Sequence, residues 1–365
     1  MTLTVYVTGC LGFIGAYVTE ACLQRGWHVI GVDKMTYASQ PEKLAYFNGW
    51  GPNHFKFIKS DINDLDRLYD CDHVINVAAE THVDNSIVSS KEFLHSNVNG
   101  VHHLLELVRS KERFRMPTLL HFSTDEVYGD LVTGSHKETD LLKPSNPYSA
   151  TKAAADMLIL AWNRTFKVPY IIVRPTNNYG LGQYPEKLIP KTCKLLQMGK
   201  KIPLHNNGTP KRIWLHAQDT ADAVIHIIES QAQNEIFNIS GNIEIQNWKL
   251  VAKIANILNI QPSRIPLFEE PNPPSIKGVS SSQNGIKVWG LSENEREGNY
   301  YLYGDMNNGS DNLREICDFS YHRTGQDIRY SLCDDKLKTY GWTPKCVMND
   351  ELPSIIEYYK NNFVW

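Results

Sequence analysis

Short apolar runs alternate with longer amphipathic segments over the first 175 residues. The apolar runs are rich in β-branched and aromatic side chains, which indicates strands. Between them, segments such as Val101–Val108 and Ala150–Trp162 repeat apolar residues at helical spacing. Strand–helix–strand order predicts a parallel sheet covered on both faces, with right-handed crossovers, and hence an α/β doubly wound fold of the Rossmann type. The predicted strands are Thr4–Val7, His28–Val32, Phe55–Lys59, His73–Val77, Leu119–Ser123 and Tyr170–Arg174.

The alternation weakens after about residue 175, which predicts a second unit. Helical patterns recur at Leu188–Leu196, Thr220–Ser230 and Asn247–Leu258, and a short strand, Glu235–Ser240, precedes the last of them. We interpret residues 1–175 as the sheet domain and 176–365 as mainly a smaller α/β lobe, with a ligand cleft between them. Residues 271–316 are rich in Pro, Ser, Asn and Gly, and we interpret them as a long insertion.

Composition narrows the classes of protein that the chain can represent. It has 365 residues, of which 42% are hydrophobic, and a formal net charge of -3, which favours neither nucleic-acid nor membrane-surface binding. Its seven cysteines form no CxxC pair, so we expect no disulfide framework, no metal site and a reducing compartment. There is no leader pattern and no run of about 20 apolar residues, so we expect a cytoplasmic protein.

A glycine pattern follows the first predicted strand. Gly9, Gly12 and Gly15 are spaced GxxGxxG, and a helix opens directly after them. Such a turn needs glycine because phosphate must approach the backbone N–H groups at a helix N-terminus, and because helix and strand must pack closely. The strand before and the helix after the motif favour a dinucleotide site.

The second predicted strand is followed by a carboxylate that indicates which dinucleotide is bound. Asp33 lies 18 residues beyond Gly15, where a carboxylate can accept hydrogen bonds from the adenosine ribose and repel a 2′-phosphate. This favours NAD over NADP, although the neighbouring Lys34 could tolerate the phosphate. Further along, Asp61-Ile62 follows the third strand, where an adenine could bind, and Val77-Ala78-Ala79 closes the fourth with small side chains.

Two clusters carry candidate chemistry. Tyr148 and Lys152 form a YxxxK pair on one face of a predicted helix, where the ammonium could lower the phenol pKa and let a phenolate act as base. The stretch Ser123 to Gly129 puts Thr124, Asp125 and Glu126 at the C-terminal end of the fifth strand, the edge where ligands bind in open α/β sheets. Two adjacent carboxylates can separate into an acid and a base, which elimination of water requires and simple dehydrogenation does not.

Taken together, these motifs resemble those of the extended short-chain dehydrogenase/reductases, and within them the dTDP-glucose 4,6-dehydratases and their UDP-glucose relatives. The resemblance spans nearly the whole chain apart from the insertion, and its most specific part is the Thr124-Asp125-Glu126 triplet, which related epimerases lack. The remaining stretches that carry it are Asp33 to Ala38, Ala78 to Asp84, Asn146-Pro147-Tyr148, Asn177 to Gly180 and Tyr184 to Pro190.

The resemblance implies the site residues and a reaction. Tyr148 would take the proton of the sugar C4 hydroxyl, Thr124 would hydrogen-bond there, Glu126 would remove the C5 proton, and Asp125 would protonate the departing C6 hydroxyl. NAD would stay bound and be regenerated at each turnover, in contact with Gly9, Gly12, Phe13, Ile14, Gly15, Asp33, Lys34, Thr36, Asp61, Ile62, Ala78, Ala79, Thr81, Ser96, Tyr148, Lys152 and Asn178. The nucleotide sugar would contact Thr81, Thr124, Asp125, Glu126, Asn177, Lys187, Leu188, Arg212, Asn247, Arg323 and Tyr330.

The segment His322 to Tyr330 departs from the family pattern. Arg323 and Gly325 remain, but the Asp, Pro and His of the pattern Asp-Arg-Pro-Gly-His-Asp are replaced. Arginine suits a diphosphate because its planar fork makes paired charge-assisted hydrogen bonds. The replacements leave the nucleotide, dTDP, UDP or another, open.

Two other classes of protein share part of this pattern: related nucleotide-sugar enzymes and non-catalytic NAD-binding proteins. A related 4-epimerase or nucleotide-sugar decarboxylase would share most of these motifs, but Asp125 and Glu126 argue against both. A non-catalytic NAD-binding regulator would predict loss of the tyrosine, the lysine or the carboxylates, and all are present. Family resemblance also implies a homodimer, which the amphipathic helices alone do not establish.

Overall fold

The computed structural model describes residues 2–260, 310–323 and 326–362. Most of the predicted insertion, 271–316, lies outside the described residues. Its last part is corrected by the structure, because Ser310–Ile316 form a helix. Leu313 and Ile316 of that helix are buried in the core of the second lobe, so this stretch belongs to the packed fold.

The strands of the first half form one parallel sheet, as the alternating pattern predicts. The sheet has seven strands in the order β10-β6-β5-β4-β1-β2-β3. The predicted strands are confirmed to within one residue at each end; β4, for example, ends at Asn76 rather than Val77. The strand bounds are β1 Thr4–Thr8, β2 His28–Asp33, β3 Phe55–Lys59, β4 His73–Asn76, β5 Thr118–Phe122, β6 Tyr170–Pro175, β7 Asn177–Tyr179, β8 Ile202–Pro203, β9 Lys211–His216, β10 Glu235–Ile239, β11 Ile243–Gln246 and β12 Cys317–Asp318.

Helices cover both faces of this sheet, which confirms the doubly wound fold. Residues of β1 alternate between the two faces: Val5 and Val7 pack beneath α1 and α8, whereas Tyr6 packs beneath α5 and α6. The helix bounds are α1 Phe13–Gln24, α2 Pro41–Asn48, α3 Val83–Val88, α4 Lys91–Phe93, α5 Gly100–Arg109, α6 Pro147–Phe166, α7 Leu188–Gln197, α8 Ala217–Glu229, α9 Asn247–Ile257, α10 Ser310–Ile316, α11 Asp335–Thr339 and α12 Met348–Asn361. A π-helical turn, Leu94–Asn99, joins α4 to α5.

A second lobe packs on the carboxyl-terminal side of the first. It contains the small sheets β11-β9-β7 and β12-β8 and a core formed with α7, α9 and α12. The sequence assigned the strand Glu235–Ser240 and the helix Thr220–Ser230 to this lobe, and the structure corrects both. The strand, β10, pairs in parallel with β6 in the main sheet, and the helix, α8, packs on α1. Phe237 and Ile239 of β10 are fully buried there, which is why the strand is held in the large sheet.

No helix among the described residues is long and apolar enough to cross a membrane.

Candidate active site

A cleft of about 450 Å³ runs along the carboxyl ends of the parallel strands, between the sheet and the second lobe. Every residue that the sequence proposes for the site lines this cleft except Lys152. Lys152 is buried behind the residues that form the wall of the cleft, and it lies on α6, the catalytic helix. The fold therefore brings together residues from Gly9 to Tyr330, which are far apart in the chain.

The glycine turn between β1 and α1 is closed by contacts that exclude side chains. Gly9 has φ of +68°, and a Cβ there would lie 2.8 Å from the backbone nitrogen of Ala78. A Cβ on Gly15 would collide with the Gly9 carbonyl oxygen. The Gly9 N–H donates to the Val32 carbonyl at 2.7 Å, which ties the turn to β2. The turn is therefore a cradle of bare backbone at the start of α1, as a diphosphate requires.

Substitution of Gly15 by alanine is expected to damage both stability and cofactor binding. The added methyl group would push against the backbone of Gly9, a fixed group, and overpacking of this kind costs about 1–3 kcal/mol in the free energy of unfolding. Thermal melts with and without NAD would measure both effects. Gly12→Ala is the graded comparison, because its Cβ would lie 3.2 Å from the same oxygen. Equal melts for Gly15→Ala and wild type would contradict the prediction.

Asp33 ends β2 as predicted and links the glycine turn to the rest of the cleft. Its Oδ2 accepts from the Leu11 N–H at 2.9 Å, and its Oδ1 accepts from the Met35 N–H at 2.7 Å and the Ser39 hydroxyl at 3.0 Å. These bonds fix the orientation of the carboxylate at the adenosine end. A 2′-phosphate would meet this fixed negative charge, which fits NAD.

Lys34, which could have tolerated a 2′-phosphate, is already engaged. Its Nζ lies 3.4 Å from Asp61 Oδ2 and 4.0 Å from Glu80 Oε1. It also donates to the Ser96 hydroxyl at 3.4 Å. Because two carboxylates neutralise the ammonium, Lys34 adds little attraction for a further phosphate, and the residues present fit NAD better than NADP.

The Thr124-Asp125-Glu126 triplet forms a tight turn directly after β5. Asp125–Tyr128 make one 3-10 turn, and the Thr124 hydroxyl accepts from the Glu126 N–H at 3.4 Å to cap it. The Thr124 hydroxyl also donates to Asp125 Oδ1 at 3.2 Å. This turn aims both carboxyl groups into the cleft.

The two carboxyl groups have different environments. The pKa of Asp125 is raised to about 7. Burial is the largest cause, the neighbouring Glu126 charge also raises the pKa, and the Arg212 cation lowers it by less. Asp125 Oδ2 makes no hydrogen bond to any described residue. Glu126 Oε2, in contrast, accepts from Asn146 Nδ2 at 3.2 Å and from the Tyr330 hydroxyl at 3.4 Å. The arrangement therefore favours the protonated form of Asp125 and gives Glu126 two hydrogen-bonding partners.

Tyr148 lies in the first turn of α6, and the N-terminal cap of that helix fixes its position. Asn146 and Ser149 form a reciprocal capping box, and Pro147 occupies the first helical turn. The Tyr148 backbone N–H donates to the Ser86 hydroxyl at 3.2 Å. The Tyr148 side chain lines the cleft together with Thr124, Asp125 and Glu126, and the charges of both carboxylates act on the pKa of its phenol.

The expected lowering of the Tyr148 pKa by Lys152 stays a prediction, because burial is the largest influence on the pKa of both groups in the structure. Burial raises the pKa of Tyr148 well above its ordinary value, and the charges of Glu126 and Asp125 add to the rise. Burial also lowers the pKa of Lys152, to about 8. The Lys152 ammonium contacts His121, with 3.4 Å between Nζ and Nε2. Sequence spacing placed the pair on one helix but could not show how deeply both groups are buried.

Three cationic residues of the second lobe line the other end of the cleft. Arg323 makes a bidentate ion pair with Asp84, at 2.6 and 2.9 Å. Lys187 donates to the Thr81 carbonyl at 3.0 Å. Arg212 donates to the Asp327 carbonyl at 3.0 Å and stacks on the Tyr330 ring, 4.3 Å from its centroid. Both guanidinium groups are thus held by several contacts within the protein.

The remaining predicted residues also have defined positions. Asn178 Oδ1 accepts from the Thr220 hydroxyl at 2.6 Å, so its side chain is fixed. Asn247 Oδ1 is buried without a hydrogen-bond partner among the described residues, which leaves an acceptor for a ligand. Asn177 and Leu188 line the same wall of the cleft.

Some residues that organise the site were missed by sequence reasoning. Asn97, in the π-helical turn, bonds both backbone groups of Glu80 and donates to Thr151 Oγ1 at 3.0 Å, which joins the β4 loop to the catalytic helix. Asp327 receives hydrogen bonds from Ser145 and Tyr330 and so holds the tyrosine beside Glu126. His121 interrupts an apolar strand, and that interruption was the available signal.

Fold and site together define an enzyme class: a Rossmann-type protein that holds a dinucleotide beside a tyrosine and a pair of carboxyl groups. Residues 5–240 match the NAD dependent epimerase/dehydratase family, and the chain belongs to that family. It is accordingly an NAD-dependent enzyme.

Relatives and solved structures agree with this family. The chain is 32% identical to the dTDP-glucose 4,6-dehydratase of Streptomyces niveus, over 99% of this chain and 94% of that protein. It is 31% identical to a trifunctional UDP-glucose 4,6-dehydratase/epimerase/reductase of Arabidopsis thaliana, over 99% of this chain and 48% of that protein. The crystal structure of DesIV, the dTDP-glucose 4,6-dehydratase of Streptomyces venezuelae, with NAD bound, superposes with a TM-score of 0.80 at 28% identity. The match covers 99% of this chain and 98% of that one.

Proposed function

We propose that this protein is a nucleotide-sugar 4,6-dehydratase that converts a nucleoside diphosphate glucose to its 4-keto-6-deoxy form. The observation that carries the proposal is the pair Asp125 and Glu126 beside Tyr148 in one closed cleft. The raised pKa of Asp125 favours its acid form, and Glu126 accepts a hydrogen bond from Asn146, which supports the acid and base roles that elimination of water needs. The names of the relatives support the same reaction.

Each side chain has one task in the proposed reaction. The glycine turn and Asp33 would hold NAD, which would supply the hydride chemistry between C4 and C6 of the sugar. Tyr148 accepts the proton of the C4 hydroxyl, which Thr124 orients. Glu126 removes the C5 proton, which the C4 ketone acidifies, and Asp125 gives its proton to the departing C6 hydroxyl. The bond from C6 to oxygen breaks as water leaves with the proton from Asp125. When hydride is added at C6, C5 takes up a proton again, and Glu126, which holds the proton removed from C5, can return it.

The nucleotide end of the substrate is assigned to the second lobe. Arg323 and Arg212 supply planar cations for the diphosphate, and Lys187 supplies a point charge. Asn177, Leu188, Asn247 and Tyr330 complete the proposed contacts. The division of roles between residues 1–175 and 176–365, the homodimer and the cytoplasmic location remain predictions. The relatives act on dTDP- or UDP-glucose by their names, and both remain candidate substrates here.

The test is incubation of the purified protein with dTDP-glucose, UDP-glucose, CDP-glucose and GDP-mannose in separate reactions, followed by mass spectrometry. Loss of water from one or more of these supports the proposal and identifies the nucleotide. Isomerisation at unchanged mass would instead indicate a 4-epimerase and would remove the acid and base roles of the carboxyl groups. No reaction with any of the four, with NAD supplied, would overturn the proposal for these substrates.

The pKa of Asp125 predicts how the rate of water loss depends on pH. The acid form of Asp125 is required, so its contribution is present below a pKa of about 7 and is lost as the pH rises through that value. In Asp125→Asn the rate should be lower throughout by about 10²-fold or more, without this decline. Turnover measured across neutral pH in both proteins checks this. A decline of the same shape in Asp125→Asn would assign the titration to another group.

A further inference from the structure

A chain of buried hydrogen bonds connects the cofactor wall to the catalytic helix through a histidine that the reaction above does not use. The Ala78 N–H donates to Thr8 Oγ1 at 3.3 Å, and the Thr8 hydroxyl donates to Asn76 Oδ1 at 2.6 Å. Asn76 Nδ2 lies 3.0 Å from His121 Nδ1. His121 Nε2 lies 3.4 Å from Lys152 Nζ. Thr8, Asn76, His121 and Lys152 are all buried, so the chain is shielded from bulk solvent.

The other charged groups near Lys152 have partners of their own. Asp156, one turn along α6, is ion-paired with Arg174 at 2.9 Å and accepts from the Ser123 hydroxyl at 3.0 Å. The Asp156 charge raises the pKa of Lys152, but burial lowers that pKa by more. Among the described residues, His121 is the group within hydrogen-bond distance of Lys152 Nζ. His121 itself stays neutral, because burial and the charges of Lys152 and Arg174 hold its pKa well below the ordinary value.

The charge of Lys152 and the tautomer of His121 depend on each other. An ammonium group has only donors, so a charged Lys152 needs an acceptor at Nε2 and therefore the proton at Nδ1. A neutral amine can accept, so it pairs with the proton at Nε2, and Nδ1 then accepts from Asn76 Nδ2. The structure shows the second arrangement: the Ala78 N–H donates to Thr8 Oγ1, the Thr8 hydroxyl donates to Asn76 Oδ1, and Asn76 Nδ2 then faces His121 Nδ1. A half-turn of the Asn76 amide gives the first.

We propose that His121 is a positioning residue for Lys152, whose imidazole accepts from the ammonium form and donates to the amine form by changing tautomer. Lys152 thereby keeps a partner in both charge states although it is buried. It can then change charge near neutral pH without an unpaired polar atom. The proposal concerns the buried wall, and its test below does not depend on which substrate the enzyme uses.

The test is nuclear magnetic resonance of the whole protein, with lysine labelled at the ε-carbon and histidine labelled with ¹⁵N. Lys152→Met and His121→Gln spectra would assign the two signals. In the wild type, the ¹⁵N chemical shift typical of a protonated ring nitrogen should move from Nδ1 to Nε2 of His121 as Lys152 loses its proton. The midpoint of this change should equal that of the Lys152 titration. A single His121 tautomer throughout that titration would overturn the proposal, even if the enzyme proved to be an epimerase.

Two variants separate a hydrogen-bonding role from simple filling of space. His121→Gln places an amide near the Nε2 position, where it can donate or accept, so the Lys152 pKa should stay near the wild-type value. His121→Leu fills the space without a partner. The charged form loses more than the neutral form, because hydrogen bonds to ions are stronger, and the Lys152 pKa should fall by about one unit. Equal Lys152 pKa values in both variants would show that His121 only packs. If His121→Leu does not fold, the wild-type tautomer measurement still decides the matter.

Discussion

Replacement of Glu126 by glutamine is expected to lower the rate of water loss by about 10²- to 10⁴-fold, the usual contribution of a positioned general base. The amide has nearly the same shape, but it cannot accept the C5 proton. Asn146 and Tyr330 hold Oε2 of Glu126 in place, so the lower rate should come from the loss of the base and not from a misplaced side chain. Mass spectrometry of the nucleotide sugar after timed incubation measures the rate.

A matched control and an isotope experiment sharpen this prediction. Glu138→Gln removes the same charge outside the cleft, where Oε1 of the new side chain can still accept from the Asn238 N–H, so the rate should be unchanged. In deuterated water, exchange of the C5 proton should stop in Glu126→Gln. In Asp125→Asn exchange should continue while water loss slows. Wild-type exchange and water loss in Glu126→Gln would exclude Glu126 as the base.

Replacement of Arg174 by methionine is expected to have the largest effect on stability. Arg174 is buried, donates to Asp156 at 3.0 Å and to the Tyr128 hydroxyl at 2.7 Å, and neutralises Asp156 inside the protein. Loss of one partner of a buried ion pair costs about 3–5 kcal/mol, because the remaining charge has no compensation. The difference in free energy of unfolding between variant and wild type, from urea titration, measures this cost.

The control for that prediction is an ion pair at the surface. Arg25 lies 3.6 Å from Glu229, and both side chains are about half exposed. Arg25→Met should therefore change the free energy of unfolding by less than about 1 kcal/mol. Similar losses in Arg25→Met and Arg174→Met would mean that the buried pair contributes no more than a solvated one.

The parts of the fold that the sequence predicted correctly depend on local rules. Apolar periodicity shows which face of an element is buried, and the GxxGxxG spacing shows where bare backbone must turn. Both hold without knowledge of distant residues, and both are confirmed by β1, the glycine turn and α1. The same periodicity does not say which sheet a strand joins. The strand at 235–239 was therefore assigned to the wrong lobe, although its bounds were correct to within one residue.

The site divides in the same way. The sequence alone determined that a tyrosine and a lysine share one helix, that two carboxyl groups follow β5, and that an aspartate ends β2, because these relations span a few residues of chain. Only the tertiary structure decided that Asp125 is the group with the raised pKa, that Glu126 is held by Tyr330 from the other lobe, and that Lys152 lies behind the wall against His121. The physical reason is that charge state follows from burial and from partners, and folding brings those partners together from distant positions in the chain.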